Sequence, residues 1–165
     1  MNIFLGIIAL IVVIFLFVAF FLLRYLKSEE GMVIAIFLQK TSKIPALIEV
    51  MRPFVAKEEA FDSIIELHTE AMIQECHSIY DILGLNAKLQ NDFLFLMQLS
   101  VRIPTLQKNE YFVYIRNFVI EYERMMRSHF SGLNKAIRYW NTFIKIKNMT
   151  VIGLLFPGEK HQEVQ

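Results

Sequence analysis

The sequence predicts an all-α membrane protein, with one N-terminal transmembrane helix followed by an antiparallel three- to four-helix bundle with heptad-like seams. Three observations support this fold class. Residues 1–23 contain no charged side chain. Beyond residue 31, apolar side chains recur at steps of three and four, which is the spacing of one face of a helix. The 165 residues include only six glycines and four prolines, so few residues interrupt long helices.

The N-terminal segment has the length and composition of a membrane span. About 22 residues at about 1.5 Å each reach about 33 Å, enough to cross a hydrocarbon core of roughly 30 Å. A cleaved signal peptide is the main alternative, but it has a basic start and a shorter apolar stretch, and neither is present. We therefore predict a single-pass protein of the plasma membrane. The predicted transmembrane residues include Ile3, Leu5, Ile11, Phe15 and Leu22.

The basic residues beside this segment predict its orientation. Arg24 and Lys27 follow the segment, whereas no lysine or arginine precedes it. Because cytoplasmic flanks are enriched in basic residues, the N-terminus is expected outside and the helical domain in the cytoplasm. The predicted domains are an anchor with its flank (1–26), a helical bundle (27–147) and a C-terminal tail (148–165).

Four apolar seams follow the anchor, and each needs a partner helix to cover it. Short connections between such helices favour antiparallel neighbours, as in bundles and coiled coils. The last seam is the most regular and predicts Ile137 and Trp140 as core residues. The seams cover residues 34–55, 61–82, 86–103 and 112–144.

Prolines, glycines and asparagines predict where these helices begin, end or bend. Pro45 lies inside the first seam and predicts a kink in one continuous helix. Gly84 and Asn86 are expected to end the second helix and to cap the third. Pro104 is expected to stop the third helix, and Asn109 to begin the fourth.

Residue spacing argues against a metal or catalytic site. The bundle lacks the Glu-x-x-His pairs of di-metal carboxylate sites, since Glu66 and His68 are two residues apart and face opposite sides of a helix. Cys76 and His77 are adjacent, so they do not face each other, and a lone cysteine is usually a small core residue. The sequence therefore predicts a non-enzymatic protein without a metal or cofactor.

Charge argues against nucleic acid as a partner, because the formal net charge is only +1. The last seam does carry a basic run, which is either a solvated face or a surface resting near anionic lipid. Interruption by apolar residues favours the solvated face. The run consists of Lys135, Arg138, Lys145 and Lys147.

Three motifs stand in a fixed order along the chain. Residues 44–49 read Ile-Pro-Ala-Leu-Ile-Glu, and residues 103–112 read Ile-Pro-Thr-Leu-Gln-Lys-Asn-Glu-Tyr-Phe. Residues 137–142 read Ile-Arg-Tyr-Trp-Asn-Thr and lead into the tail motif at residues 151–156. Their order resembles that of the LemA family of bacterial membrane proteins. The motif residues are Pro45, Glu49, Pro104, Asn109, Phe112, Arg138 and Asn141.

The resemblance implies an anchored antiparallel helical domain that acts in the cell envelope through protein partners, and it supplies no catalytic residues. The chain departs from the family at Thr105, where an aspartate is expected, and at Asn148, where a proline is expected. We expect a membrane-anchored scaffold or adaptor whose partners are the bilayer and a membrane or envelope protein, with a homo-oligomer left open. The alternatives are a signalling relay, which needs a helix continuous through residues 28–31, and an enzyme with an unrecognised site.

Overall fold

The computed structural model describes residues 2–55, 58–73, 78–149 and 160–162, and these residues form helices and no strand. The predicted all-α class is confirmed. Two single-turn 3-10 helices, Arg52–Phe54 and Glu58–Ala60, lie between the second and third α-helices. The α-helices are α1 (Asn2–Thr41), α2 (Ile44–Met51), α3 (Asp62–Ile73), α4 (Ile79–Val101), α5 (Pro104–Gln107) and α6 (Glu110–Asn148).

Helix α1 runs for 40 residues without interruption and passes through Gly31. Among the described residues it is the one helix long and apolar enough to cross a membrane, and none of its most apolar window is buried. Leu10, Leu16 and Phe17 each leave more than 60% of their surface exposed. A partner for these apolar side chains therefore has to come from outside the described chain, and a bilayer fits that requirement.

The chain divides into two compact units, one formed by Met1–Met32 with His129–Gln165 and the other by Val33–Ser128. The predicted boundaries at residues 26 and 147 stay a prediction. In the second unit, the end of α1 contacts α4 and the first half of α6, and α3 packs against α2 and α4. The apolar seams of this unit supply the core, as predicted. Fully buried core side chains include Phe37, Leu47, Met51, Phe61, Ile64, Ile82, Leu89, Leu96, Phe112 and Ile115.

The first unit pairs the apolar part of α1 with the end of α6. The rings of Phe15 and Phe143 lie 5.7 Å apart between centroids. Fourteen residues further along α1, Glu29 Oε2 lies 3.3 Å from Nδ1 of His129. Since the residue number rises along α1 as it falls along α6, the two segments are antiparallel. On α6, the predicted core position 137 is buried, whereas Trp140 is half-buried.

The predicted kink at Pro45 is wrong, because the first seam is divided between two helices. Helix α1 ends at Thr41, and α2 begins at Ile44 with Pro45 in its first turn. A proline is tolerated there because its missing N–H has no partner within the helix anyway. Thr41, Ile44 and Ile48 are all buried, so the seam continues across the break and hides it.

The predicted helix boundary at Gly84 and Asn86 is also wrong, since both residues lie inside α4. The helix begins at Ile79 with a capping box. The Ser78 hydroxyl accepts a hydrogen bond from the backbone N–H of Asp81, and the Asp81 carboxylate accepts one from the N–H of Ser78.

The boundary between α4 and α6 is confirmed. Helix α4 ends at Val101, before Pro104, which occupies the first turn of the short α5. Asn109 precedes α6, and its Oδ1 accepts a hydrogen bond of 2.9 Å from the N–H of Phe112. Both predictions depended on local backbone chemistry, which the sequence carries directly.

Candidate functional site

The predicted transmembrane residues all lie on α1, but their surroundings differ. Ile11 is 45% exposed, whereas Phe15 and Leu22 are half-buried and lie on the face that turns toward Phe143. Ile3 and Leu5 belong to the same helix, and their side chains lie outside the described part of the chain.

The first motif lines an open cleft between α2 and α3, with a volume of about 430 Å³. Pro45 and Glu49 lie one turn apart on the exposed side of α2, because the buried side holds Leu47 and Ile48. The cleft combines apolar walls with one acidic, one basic and one imidazole side chain. Its lining residues are Pro45, Ile48, Glu49, Arg52, Ile65 and His68.

His68 lies half-buried on α3, at the edge of this cleft. Burial lowers the pKa of its imidazole below the usual 6.5, because desolvation disfavours the charged form. The neutral ring is therefore the form that this surface favours near pH 7. A neutral imidazole offers one donor and one acceptor to whatever occupies the cleft.

The second motif forms the turn from α4 to α6. Pro104 is exposed, Asn109 caps α6, and Phe112 is completely buried. Gln107 ties the turn together, since its Nε2 donates to Ser100 Oγ (2.9 Å) and its Oε1 accepts from Arg116 Nη1 (3.0 Å). These contacts give the second motif a structural role, because they fix the turn at which α6 begins.

The third motif holds the C-terminal tail against α6. Asn141 Nδ2 donates to the carbonyl oxygen of His161 (2.8 Å), and the His161 N–H donates to Asn141 Oδ1 (2.9 Å). The rings of Trp140 and His161 lie 6.4 Å apart. Arg138 is exposed on α6, three residues before Asn141, and its carbonyl oxygen accepts from Thr142. The tail motif at residues 151–156 lies outside the described residues.

A buried polar cluster at the end of α1 was missed by the sequence analysis. Lys40 Nζ donates to Asn86 Oδ1 on α4, and to Glu123 Oε2 on α6 at 2.8 Å. The Lys40 side chain is 4% exposed and that of Glu123 is 12% exposed. Arg127 approaches the second carboxylate oxygen of Glu123 at 3.5 Å. One ammonium group therefore joins three helices of the second unit.

Burial lowers the pKa of Lys40 below its usual 10.5, and the hydrogen bond and charge of Glu123 oppose that shift. The sequence did contain a signal for this cluster. Lys40 lies three residues after Phe37 on the buried stripe of α1, where an apolar side chain is expected. A charged residue on such a stripe needs a buried partner of opposite charge.

The three motifs serve different elements of the structure. The first motif lines the α2–α3 cleft, the second forms the α4–α6 turn and the third holds the tail. Among the described residues, no group of three or more His, Cys, Asp or Glu side chains is placed to hold a metal ion. Cys76 and His77 lie outside the described residues.

No family model matches the chain, and no curated protein matches it.

Proposed function

We propose that this protein is a non-enzymatic, membrane-anchored helical adaptor of the cell envelope, of the kind that the LemA resemblance implies. The apolar part of α1 crosses the plasma membrane once, with the N-terminus outside and the bundle in the cytoplasm. The bundle then binds a membrane or envelope protein. Arg24 and Lys27 support this orientation, because basic residues favour the cytoplasmic flank of a span.

The observation that carries the proposal is the continuity of α1. The same helix presents unburied apolar side chains over residues 6–23 and buries Val33, Ile36 and Phe37 in the bundle core. Lipid is the solvent that suits the exposed apolar side chains of residues 6–23, and the bundle core encloses Val33, Ile36 and Phe37. A protein with this arrangement holds a folded domain at a bilayer.

The α2–α3 cleft is the surface that we assign to the protein partner. It offers the exposed apolar side chains of Pro45 and Ile65 beside the charges of Glu49 and Arg52. A protein segment with one apolar anchor flanked by a basic and an acidic side chain fits that lining, because apolar anchors supply affinity and rim charges supply orientation.

Site-specific photocrosslinking in native membranes tests this assignment. A photoreactive side chain at Glu49 should capture a discrete partner band, whereas the same group at Lys108, which is also exposed on the second unit, should not. Equal patterns from the two positions would contradict the assignment of the cleft. Protease added outside intact cells should spare the bundle, and its digestion there would reverse the orientation.

A signalling relay is the second candidate, and the path of α1 through Gly31 favours it, since a relay needs an unbroken helix between anchor and bundle. Gly31→Pro removes one helical hydrogen bond and introduces a clash, so it should break this continuity. Gly31→Ala keeps the helix and serves as the matched control. A relay requires the proline variant to change the partner crosslinks while the melting temperature of the bundle stays unchanged. Unchanged crosslinks under that condition favour a passive adaptor.

A further inference from the structure

Helix α6 carries its charges unevenly along its length. Residues 110–123 include three acidic residues and one basic residue, whereas residues 124–148 include six basic residues and no acidic one. A helix segment with only positive charge is attracted to an anionic surface. The six basic residues are Arg124, Arg127, Lys135, Arg138, Lys145 and Lys147.

The same segment is amphipathic. Leu133, Ile137 and Ile144 are buried along one face, whereas Lys135 and Lys145 are exposed on the opposite face. Aromatic and aliphatic side chains on one face with lysines on the other are the pattern of helices that lie in the plane of a membrane interface. Trp140, on the apolar face, is the single tryptophan of the chain.

In the structure this apolar face lies against α1. The contacts of Phe143 with Phe15, and of His129 with Glu29, share one antiparallel register. That register places the end of α6, at Asn148, level with about residue 10 of α1. Residues 2–9 of α1 then remain beyond α6, roughly 12 Å of helix, which is less than half of the hydrocarbon core.

Pairing with α6 and full insertion of α1 therefore exclude each other. If residues 3–23 cross the bilayer, Phe15 lies near its centre and carries Phe143 there. The exposed ammonium of Lys145, two residues further along α6, would follow it. Each charge at that depth disfavours insertion by about two orders of magnitude. The end of α6 has to leave α1 before α1 can span the membrane.

We infer that residues 129–148 of α6 form a second membrane-binding element, which exchanges α1 for the anionic surface of the same bilayer when α1 inserts. This inference rests on the membrane anchor of the proposed function. The apolar face with Trp140 enters the boundary between headgroups and acyl chains, and Lys135 and Lys145 remain beside the anionic headgroups. The basic run is then a lipid-binding surface, in contrast to the solvated face expected from the sequence.

Trp140 reports this exchange in the full-length chain. The protein is reconstituted into vesicles of phosphatidylcholine with phosphatidylglycerol, carrying a quencher either at the headgroup or at the middle of the acyl chains. We expect headgroup quenchers to reduce Trp140 fluorescence more than mid-chain quenchers. Stronger mid-chain quenching would overturn the inference, because Trp140 would then have entered the core together with α1.

The same samples distinguish failure of the anchor from failure of the exchange. Vesicle flotation reports whether α1 holds the protein on the membrane. Protein that does not float contradicts the proposed anchor and removes the basis of the inference. Protein that floats while neither quencher affects Trp140 retains the anchor and overturns the exchange alone.

Charge variants test the role of anionic lipid. A lysine beside such a surface strengthens binding about fivefold, so Lys135→Gln with Lys145→Gln should weaken the surface-bound form about 25-fold. Headgroup quenching should then fall, while flotation persists. Lys88→Gln with Lys108→Gln removes two exposed lysines from the second unit and should leave quenching unchanged. Equal quenching in both double variants and the parent would overturn the assignment to these two lysines.

Discussion

Helices α1 and α6 have nearly the same length, 40 and 39 residues, but they expose opposite kinds of surface. Over residues 6–23, the exposed side chains of α1 are apolar without exception. Helix α6 instead buries one apolar stripe and exposes charged residues such as Lys135 and Lys145. Both segments form continuous α-helices, so length does not separate them. Their exposed faces indicate different solvents, lipid for α1 and water or a membrane surface for α6.

Introducing charge on each helix gives the largest expected difference. Ile11→Lys with Ile14→Lys places two charges in the span, each opposing insertion by about 2.5–3.5 kcal/mol, so the protein should leave alkaline-washed membranes. Tyr114→Lys with Ile120→Lys changes two residues of α6 that are at least as exposed as Ile11 and Ile14, and it should leave the protein membrane-bound. If both double variants pelleted with the membranes, α1 would not be the anchor.

The difference between these helices was predictable from sequence because it depends on composition and on the period of one face. The Pro104 and Asn109 boundary was predictable for a similar reason, since proline rings and side-chain caps act within one turn. Pro45 was misjudged because α2 continues the seam of α1. Spacing alone cannot distinguish a continuous helix from two helices that bury the same stripe.

The partners in long-range polar contacts could not be predicted from the sequence. Asn86 has the local chemistry of a cap, but it lies in the middle of α4 and accepts a hydrogen bond from Lys40, 46 residues away. That contact depends on how three helices pack. No local pattern specifies which carboxylate pairs with Lys40, so Glu123 could be identified only from the fold.

The buried pair between the two long helices provides the next largest effect. Glu123→Ala leaves the Lys40 ammonium buried without its carboxylate, and loss of one partner in a buried pair typically lowers the free energy of unfolding by about 3–5 kcal/mol. Glu121→Ala removes an exposed carboxylate that pairs with Arg124 on the same helix. Chemical unfolding in detergent should show a large loss for the first variant and little change for the second. Similar losses would mean that burial of the pair does not contribute.

The free energy of unfolding of the Glu123→Ala variant should change with pH in a defined direction. The pKa of Lys40 is lower in the folded state than its usual 10.5, so the unfolded chain binds more protons between those two values. The contribution of this group to stability therefore rises with pH through that window. Glu123→Ala removes the partner that opposes the shift, so the pH dependence should steepen and the deficit should shrink toward pH 10.5. In a Lys40→Met background, Glu123→Ala and its parent should show the same pH dependence of stability. A loss of stability in Glu123→Ala that grew with pH would contradict this account.

The start of α6 provides a smaller effect. Asn109→Ala leaves the N–H of Phe112 without its capping oxygen and should lower the free energy of unfolding by about 1 kcal/mol. Asn109→Ser keeps a capping oxygen and should recover most of that loss. Thermal unfolding followed by circular dichroism provides the measurement. An alanine variant as stable as the serine variant would show that the cap contributes nothing at this position.

Two glycines, one in α1 and one in α6, should give the smallest difference in stability between variants of the two helices. Alanine in place of a helical glycine usually raises the free energy of unfolding by about 0.5–1 kcal/mol, because it restricts the unfolded chain. A Cβ on Gly31 of α1 meets open space, so Gly31→Ala should give that full gain. A Cβ on Gly132 of α6 would lie 2.8 Å from Glu29 Oε2 and 3.0 Å from its Cδ, so the carboxylate has to move.

Moving that carboxylate also disturbs its contact with His129, so Gly132→Ala should gain less than Gly31→Ala or lose stability. A double-mutant cycle identifies the cause. In a Glu29→Ala background the obstacle is absent, and Gly132→Ala should then stabilise the protein as much as Gly31→Ala does. If Gly132→Ala is equally favourable with and without Glu29, the two helices do not meet at this point in solution. That result would favour release of α6 from α1 even without a bilayer.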